Sequence, residues 1–294
     1  MIKNSILTIL NAIGIDKNKR LAIIEWFNSA SIKMAVKQQG LSVLIDILRK
    51  IEPDISGQEY SGKAFFNDYW ELKRRALQSF QVKLMLKAVE NLKMSDPVVV
   101  DIGDSAGTHM LYLKELTKDK YNIETISVNL DKEAIDKIKA RGFKAILSRA
   151  EDLDLGGKQT DLFTSFQMIE HLHNPAIFLR RLAKRTSCRR MLVTLPYMKR
   201  SRVGTQSVRN NSQTTVNAEM EHIFELSPED WKLLMLHSGW RVVHEEIFYQ
   251  YPARIPFLRA IFAAYWARTD FEGFWGAIME KDLTYSDRYK DWEE

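Results

Sequence analysis

Cysteine is nearly absent: Cys188 is the single thiol in 294 residues. One thiol excludes an intramolecular disulfide framework and suits a reducing compartment, taken here as the cytoplasm. Long apolar runs are missing as well. The nearest is "IPFLRAIFAAYWA", 255–267, which Arg259 interrupts and which falls short of the roughly 18 residues that a membrane-spanning helix needs. At the N-terminus Asn4, Ser5, Thr8 and Asn11 break up the apolar residues, so the stretch reads as a helix and not as a signal peptide. No internal repeat or low-complexity tract is visible, and 13 glycines with 7 prolines exclude collagen-like composition. Charge is close to balanced, 43 basic residues against 38 acidic for a net +5. That balance accommodates an anionic partner without requiring one.

What is present changes character near residue 96. Before it the period is helical: Leu41, Leu44, Ile45, Leu48 and Ile51 share one face, as do Leu77, Phe80, Leu84, Ala88 and Leu92. Pro53 and Gly57 separate the two stretches. After it short apolar runs alternate with amphipathic ones. "PVVVDIG", "IETISVNL", "FKAILSRA", "TDLFTSFQ", "RRMLVTLP", "WRVVHEEIF" and "FWGAIMEKD" read as strands. The stretches between them read as helices, one with Pro175 near its start and one running from Ser227–Pro228 to Gly239. Such alternation predicts an α/β fold: a seven-stranded, mostly parallel Rossmann-like sheet with helices on both faces, plus an N-terminal helical cap. The expected boundaries are a cap or lid over 1–95, a core over 96–249, and a helical insertion with the final strand over 250–294.

Ligands of open α/β sheets sit beyond the carboxyl ends of the strands. In "VVVDIGDSAGTHML" a strand ends at Asp101, and Gly103 and Gly107 allow a tight turn into a helix. A dinucleotide fingerprint would carry a middle glycine where Ser105 stands. A plain strand–helix turn is the bland alternative.

Asp101, Gly103 and Gly107, with the stretches that follow, resemble the class I S-adenosylmethionine (SAM) methyltransferases, and "TDLFTSFQMIEHLHNP" is the most specific match. The likeness runs over about residues 96–250. It implies SAM as cofactor, held by Asp101, Gly103, Ser105 and Gly107, by Asn129 and Leu130 at the second strand, by Ala150 and Glu151 at the third, and by Phe166 and Gln167 at the fourth. Ser105, Asn129 and Arg149 depart from the family pattern; a ribose-binding acid is usual at 129 and an adenine-binding acid at 149.

The resemblance also implies a catalytic turn. His171 is the expected general base for a hydroxyl acceptor, because imidazole titrates near neutrality; a purely positional role is the alternative, and His173 and His222 are substitutes. Lys199, Arg200 and Arg202 in the polar loop 198–220, together with His222, Tyr69 and Trp70, are expected to bind the acceptor: a small, anionic metabolite, a glycan or a lipid-linked compound. Tyr60 is a further lid residue. No nucleic-acid partner is expected, although 255–267 could rest on a membrane surface.

Two other functions are open at this point. Small-RNA terminal 2′-O-methyltransferases are similar in this turn and hold a metal there; Gln167, Glu170, His171 and His222 are the corresponding residues, and the neutral Gln167 leaves that set one carboxylate short, so no metal is expected. The second is a non-catalytic binding subunit with a SAM fold, because of the three departures.

Overall fold

The computed structural model describes residues 16–58, 67–213, 215–216 and 221–290. Tyr60 and residues 217–220 of the polar loop lie outside the described residues. Strands with uninterrupted apolar or β-branched residues must be covered on both faces. Accordingly β1 (Val98–Ile102), β4 (Leu162–Phe166) and β5 (Arg190–Pro196) are buried along almost their whole length. They form the middle of a seven-stranded sheet, with β2 (Glu124–Asn129) and β3 (Lys144–Leu147) on one side and β9 (Gly273–Lys281) and β8 (Trp240–Tyr249) on the other. The order is β3-β2-β1-β4-β5-β9-β8.

The pairs β1–β2, β2–β3, β1–β4 and β4–β5 are parallel. The end of β9 meets the starts of β5 and β8: Lys281 N–H donates to Arg189 C=O and the next residue, Asp282, to Gly239 C=O, each at 2.9 Å. β9 therefore runs antiparallel to both. On β8, at the sheet edge, the exposed Arg241, Val243 and Glu245 alternate with the half-buried Val242, His244 and Glu246, the period-two pattern of a strand with one face toward solvent.

The chain divides into two units, and the sheet lies mainly in the second, residues 81–246 with 275–294. Two of its helices start on side-chain caps, of which Ser227 is the one expected from sequence. Asn174 accepts from Ile177 N–H at the start of α6 (Pro175–Arg185), and Ser227 caps α8 (Pro228–His237), each helix with proline in its first turn. The intervening α4 (Thr108–Thr117) and α5 (Lys132–Ala140) follow β1 and β2, and the short α7 (Gln206–Arg209) lies between α6 and α8.

The first unit holds residues up to 80 with 247–274. It contains α1 (Lys17–Gln38), α2 (Ser42–Ile51), the first part of α3 (Asp68–Glu90) and the inserted α9 (Pro256–Thr269). Ile45, Leu48, Leu77 and Phe80 are buried, as their spacing predicts. The guanidinium of Arg75 is fully buried and bonds Glu71 and the carbonyls of Leu48 and Pro53, which ties α3 to the end of α2. Phe262 and Trp266 of α9 are buried, and Trp266 Nε1 donates to Ser31 at 3.1 Å. Ile261 remains exposed. Among the described residues no helix is long and apolar enough to cross a membrane.

Candidate active site

Strand order reverses between β1 and β4, so the crevice at their carboxyl ends is where this topology places a ligand. The turn after β1 is built around Asp104. Its Oδ1 accepts from Gly107 N–H at 2.8 Å and Ala106 N–H at 3.2 Å, and its Oδ2 accepts from Ser127 Oγ at 2.6 Å. Two amides of the turn, those of Ala106 and Gly107, are thus taken by the chain's own carboxylate.

Gly103 has φ +95°, and a Cβ there would stand 2.8 Å from Met168 Cγ. Only glycine meets both demands. Asp101, buried beside the turn, accepts from Thr164 Oγ1 at 2.8 Å, while its Oδ2 has no hydrogen-bond partner. Burial, with the neighbouring Asp104 charge, pushes its carboxyl well above the usual range. His109 Nδ1 lies 3.9 Å from that oxygen. Leu130, just past β2, is 52% exposed.

The departures from the family pattern have local causes. Asn129 Nδ2 donates to Asp104 C=O at 2.9 Å, and its Oδ1 accepts from Asp131 N–H at 2.7 Å. The amide braces the turn in a way a carboxylate could not, since a carboxylate has no N–H to give. Arg149 points to Glu151 at 3.5 Å. Ala150 and Glu151 lie in a single helical turn after β3, half-buried. Ser105 is half-buried in the glycine turn.

A polar chain runs behind β4 and β5. His109 Nε2 bonds Gln81 Oε1 at 2.9 Å, and Gln81 Nε2 donates to Thr194 Oγ1 at 2.9 Å. Gln167 Nε2 also reaches Thr194 Oγ1, at 3.3 Å. Phe166 packs on the His109 ring with centroids 4.5 Å apart. Gln167 has φ +54°, a left-handed backbone at a non-glycine residue, which turns the chain sharply out of β4.

That turn delivers Glu170 and His171. Glu170 is fully buried, and neither carboxylate oxygen has a hydrogen-bond partner. Desolvation raises its carboxyl to about 7, against the opposing charge of His222. His171 Nδ1 lies 3.0 Å from Glu221 C=O. A carbonyl only accepts, so Nδ1 carries the proton and the neutral ring keeps its lone pair on Nε2.

His222 stands edge-on to His171 with centroids 4.7 Å apart, and its Nδ1 lies 3.4 Å from Glu225 Oε1. Burial works against its charged form, but Glu225 and Glu170 outweigh that and hold His222 above its ordinary value. One ligand atom from each of Glu170, His171 and His222 lies within 4.8 Å of the others.

His222 is brought there by a short antiparallel pair, β6 (Arg202–Val203) with β7 (Phe224–Glu225). Thr205 N–H donates to His222 C=O at 2.6 Å. A Cβ on Gly204 would fall 2.1 Å from that oxygen, so the hairpin closes only with glycine at 204. Arg202 forms an ion pair with Glu225, whereas Lys199 and Arg200 are exposed. Tyr69 and Trp70 belong to the first unit: Tyr69 is buried with its hydroxyl 3.4 Å from Asn28 Nδ2, and Lys73 lies over the exposed Trp70 ring. Glu170 was singled out in the sequence only under the metal-holding alternative, and Asp104 and Glu225 not at all; the acid three residues after His222 could have signalled Glu225.

Residues 69–245 match the methyltransferase domain family, which is more than half of the chain. The chain belongs to the class I S-adenosylmethionine-dependent methyltransferases. S-adenosylmethionine is the cofactor of this methyltransferase. It is 30% identical over 145 residues to a protein-L-isoaspartate O-methyltransferase of Dictyoglomus turgidum, a match covering 49% of this chain and 62% of that one. The chain thus spans about three-fifths of that relative's length. A sarcosine dimethylglycine methyltransferase structure from Galdieria sulphuraria superposes with TM-score 0.52 at 10% identity, over 72% of this chain and 87% of its own. A Burkholderia thailandensis 1,6-didemethyltoxoflavin-N1-methyltransferase, solved with S-adenosylhomocysteine, gives 0.52 at 13% identity over 73% and 81%. At such identities the two structures speak for the fold.

Proposed function

We propose that this methyltransferase acts on a hydroxyl of a small, anionic acceptor, a metabolite, glycan or lipid-linked compound, in the cytoplasm, and that His171 takes the acceptor's proton. The observation that carries this is the Nδ1–H bond to Glu221, which leaves the lone pair of His171 on Nε2. S-adenosylmethionine supplies a methyl group already activated by its sulfonium. The chain's own work is to align the acceptor, exclude water and remove one proton. The turn from Asp101 to Gly107, with Asn129, Leu130, Ala150, Glu151, Phe166 and Gln167, is the assigned cofactor cradle. Lys199, Arg200 and Arg202, with His222, are the assigned acceptor contacts; the ion pair to Glu225 makes the part of Arg202 indirect.

Calorimetry with S-adenosylhomocysteine on folded protein is the first test, with micromolar binding expected. No heat would leave a non-catalytic binding subunit. Methyl transfer from labelled SAM to pooled metabolites and cell extract then identifies the acceptor. A second reading, metal-assisted methylation such as an RNA-terminal enzyme uses, is favoured by the convergence of Glu170, His171 and His222. The direction of the metal effect separates the two: added Zn²⁺ inhibits if His171 is a base and activates if it is a ligand.

A further inference from the structure

Trp26 is 72% exposed, the most open of the described tryptophans: Trp70 is 38% exposed, and Trp231, Trp240, Trp266 and Trp275 are buried. A lone exposed apolar residue is ordinary, but Trp26 is not alone. Residues 19, 23, 26, 30, 33 and 37 of α1 follow one another in steps of four and three, so they share one face of the helix. On that face Ile23 and Trp26 are exposed, Met34 is exposed beside them, and Lys19, Lys33 and Lys37 are exposed among them. The neighbouring α9 continues the surface. Phe27, next to Trp26, stacks on Phe262 with centroids 5.5 Å apart and meets Tyr265 edge-on at 5.0 Å. Tyr265 Oη donates to Asn28 Oδ1 at 2.8 Å. Beyond that seam α9 exposes Ile261, Ala264 and Arg268, again three and four residues apart.

The charge of this face has one sign. Across α1 and α9 the only acid is Glu25, and its carboxylate accepts from Asn67 Nδ2 at 3.1 Å. Lys33, Lys37 and Arg268 form no ion pair with any described residue. We propose that this face of α1 and α9 docks the protein on an anionic lipid surface. The indole and the aliphatic side chains enter the headgroup boundary, and the lysines and the arginine sit among lipid phosphates. The contact is peripheral, since no helix among the described residues is long and apolar enough to cross a membrane. Two other occupants fit less well. A second copy of the chain would set the face against itself about a two-fold axis, lysine against lysine with no acid to answer. A nucleic acid would satisfy the bases and leave Ile23, Met34 and Ile261 without an apolar partner. The docking rests neither on the identity of the acceptor nor on His171.

Full-length protein is sedimented with phosphatidylcholine vesicles, and with vesicles in which about one-third of the lipid is phosphatidylglycerol. It should pellet with the anionic vesicles at low salt, bind the neutral ones at least about 10-fold more weakly, and be released as salt rises. K33A/K37A should weaken binding roughly 30-fold and W26S about 10-fold. L233S, at an exposed apolar residue of α8, should leave binding unchanged. All of these side chains are exposed, and circular dichroism checks that each variant folds. Wild-type protein that stays in the supernatant, or that binds both vesicle types alike, overturns the proposal. So does binding that survives intact in W26S and K33A/K37A. A dimer in analytical ultracentrifugation that W26S dissociates gives the face to a second copy and overturns it too. Calorimetry with S-adenosylhomocysteine on W26S should match wild type, so a failed docking leaves the methyl-transfer reading standing.

Discussion

Asp101, Asp104 and His109 cluster at the end of β1, and Glu170, His171 and His222 at the end of β4. The two groups share residue types and the same edge of the sheet. In the first, Asp104 spends its carboxylate on two backbone amides and a serine hydroxyl, which shapes the turn that cradles a nucleoside. In the second, the carboxylate of Glu170 is spent on nothing. Hydrogen-bond accounting therefore separates an acid that builds a turn from a buried acid without a hydrogen-bond partner, where composition alone would not.

The strongest blow to the first cluster is Gly103→Val. The left-handed φ and the contact with Met168 both forbid a side chain, and S-adenosylhomocysteine binding should fall below detection by calorimetry. Asp104→Ala should leave two amides and Ser127 without their acceptor and lower stability by ~2–4 kcal/mol in urea melts. In the second cluster His171→Ala should lower kcat by roughly 10²-fold with cofactor affinity kept, and His171→Asn separates a base from a positioning residue by whether the acid limb of the pH–rate profile persists.

Glu170→Gln sharpens the contrast through pH. The Glu170 carboxyl is raised by burial to about 7 from an ordinary 4.5. A raised folded-state pKa means that the contribution to stability is complete below pH 4.5 and is lost as pH rises through 7. In metal-free protein Glu170→Gln should therefore gain on the order of 3 kcal/mol relative to wild type between pH 4.5 and pH 8. A constant difference across that range would remove the titration from this site. The smallest effect belongs to the exposed pair Lys199 and Arg200. Replacing both with Ala should raise the acceptor KM a few-fold, less so at high salt, and Arg202→Ala should instead act through Glu225 and His222.

Much of this molecule is legible in its residues taken in order. The apolar runs and their spacing specify the alternation of strands and helices, because a strand buried on both faces and a helix buried on one differ in period. Gly103 and Gly107 mark the tight turn after β1, since its positive φ angles need glycine. Partnership is not legible in the same way. That Asp104 caps its own turn, that Asn129 braces it, that Arg202 is taken by Glu225 and that Glu170 has no partner follow from which atoms come within 3.5 Å of one another. Local sequence specifies backbone periodicity because that depends on neighbours along the chain. Hydrogen bonds between residues 202 and 225, or 104 and 127, depend on how the sheet and the β6–β7 hairpin close in space, and only the tertiary structure decides them.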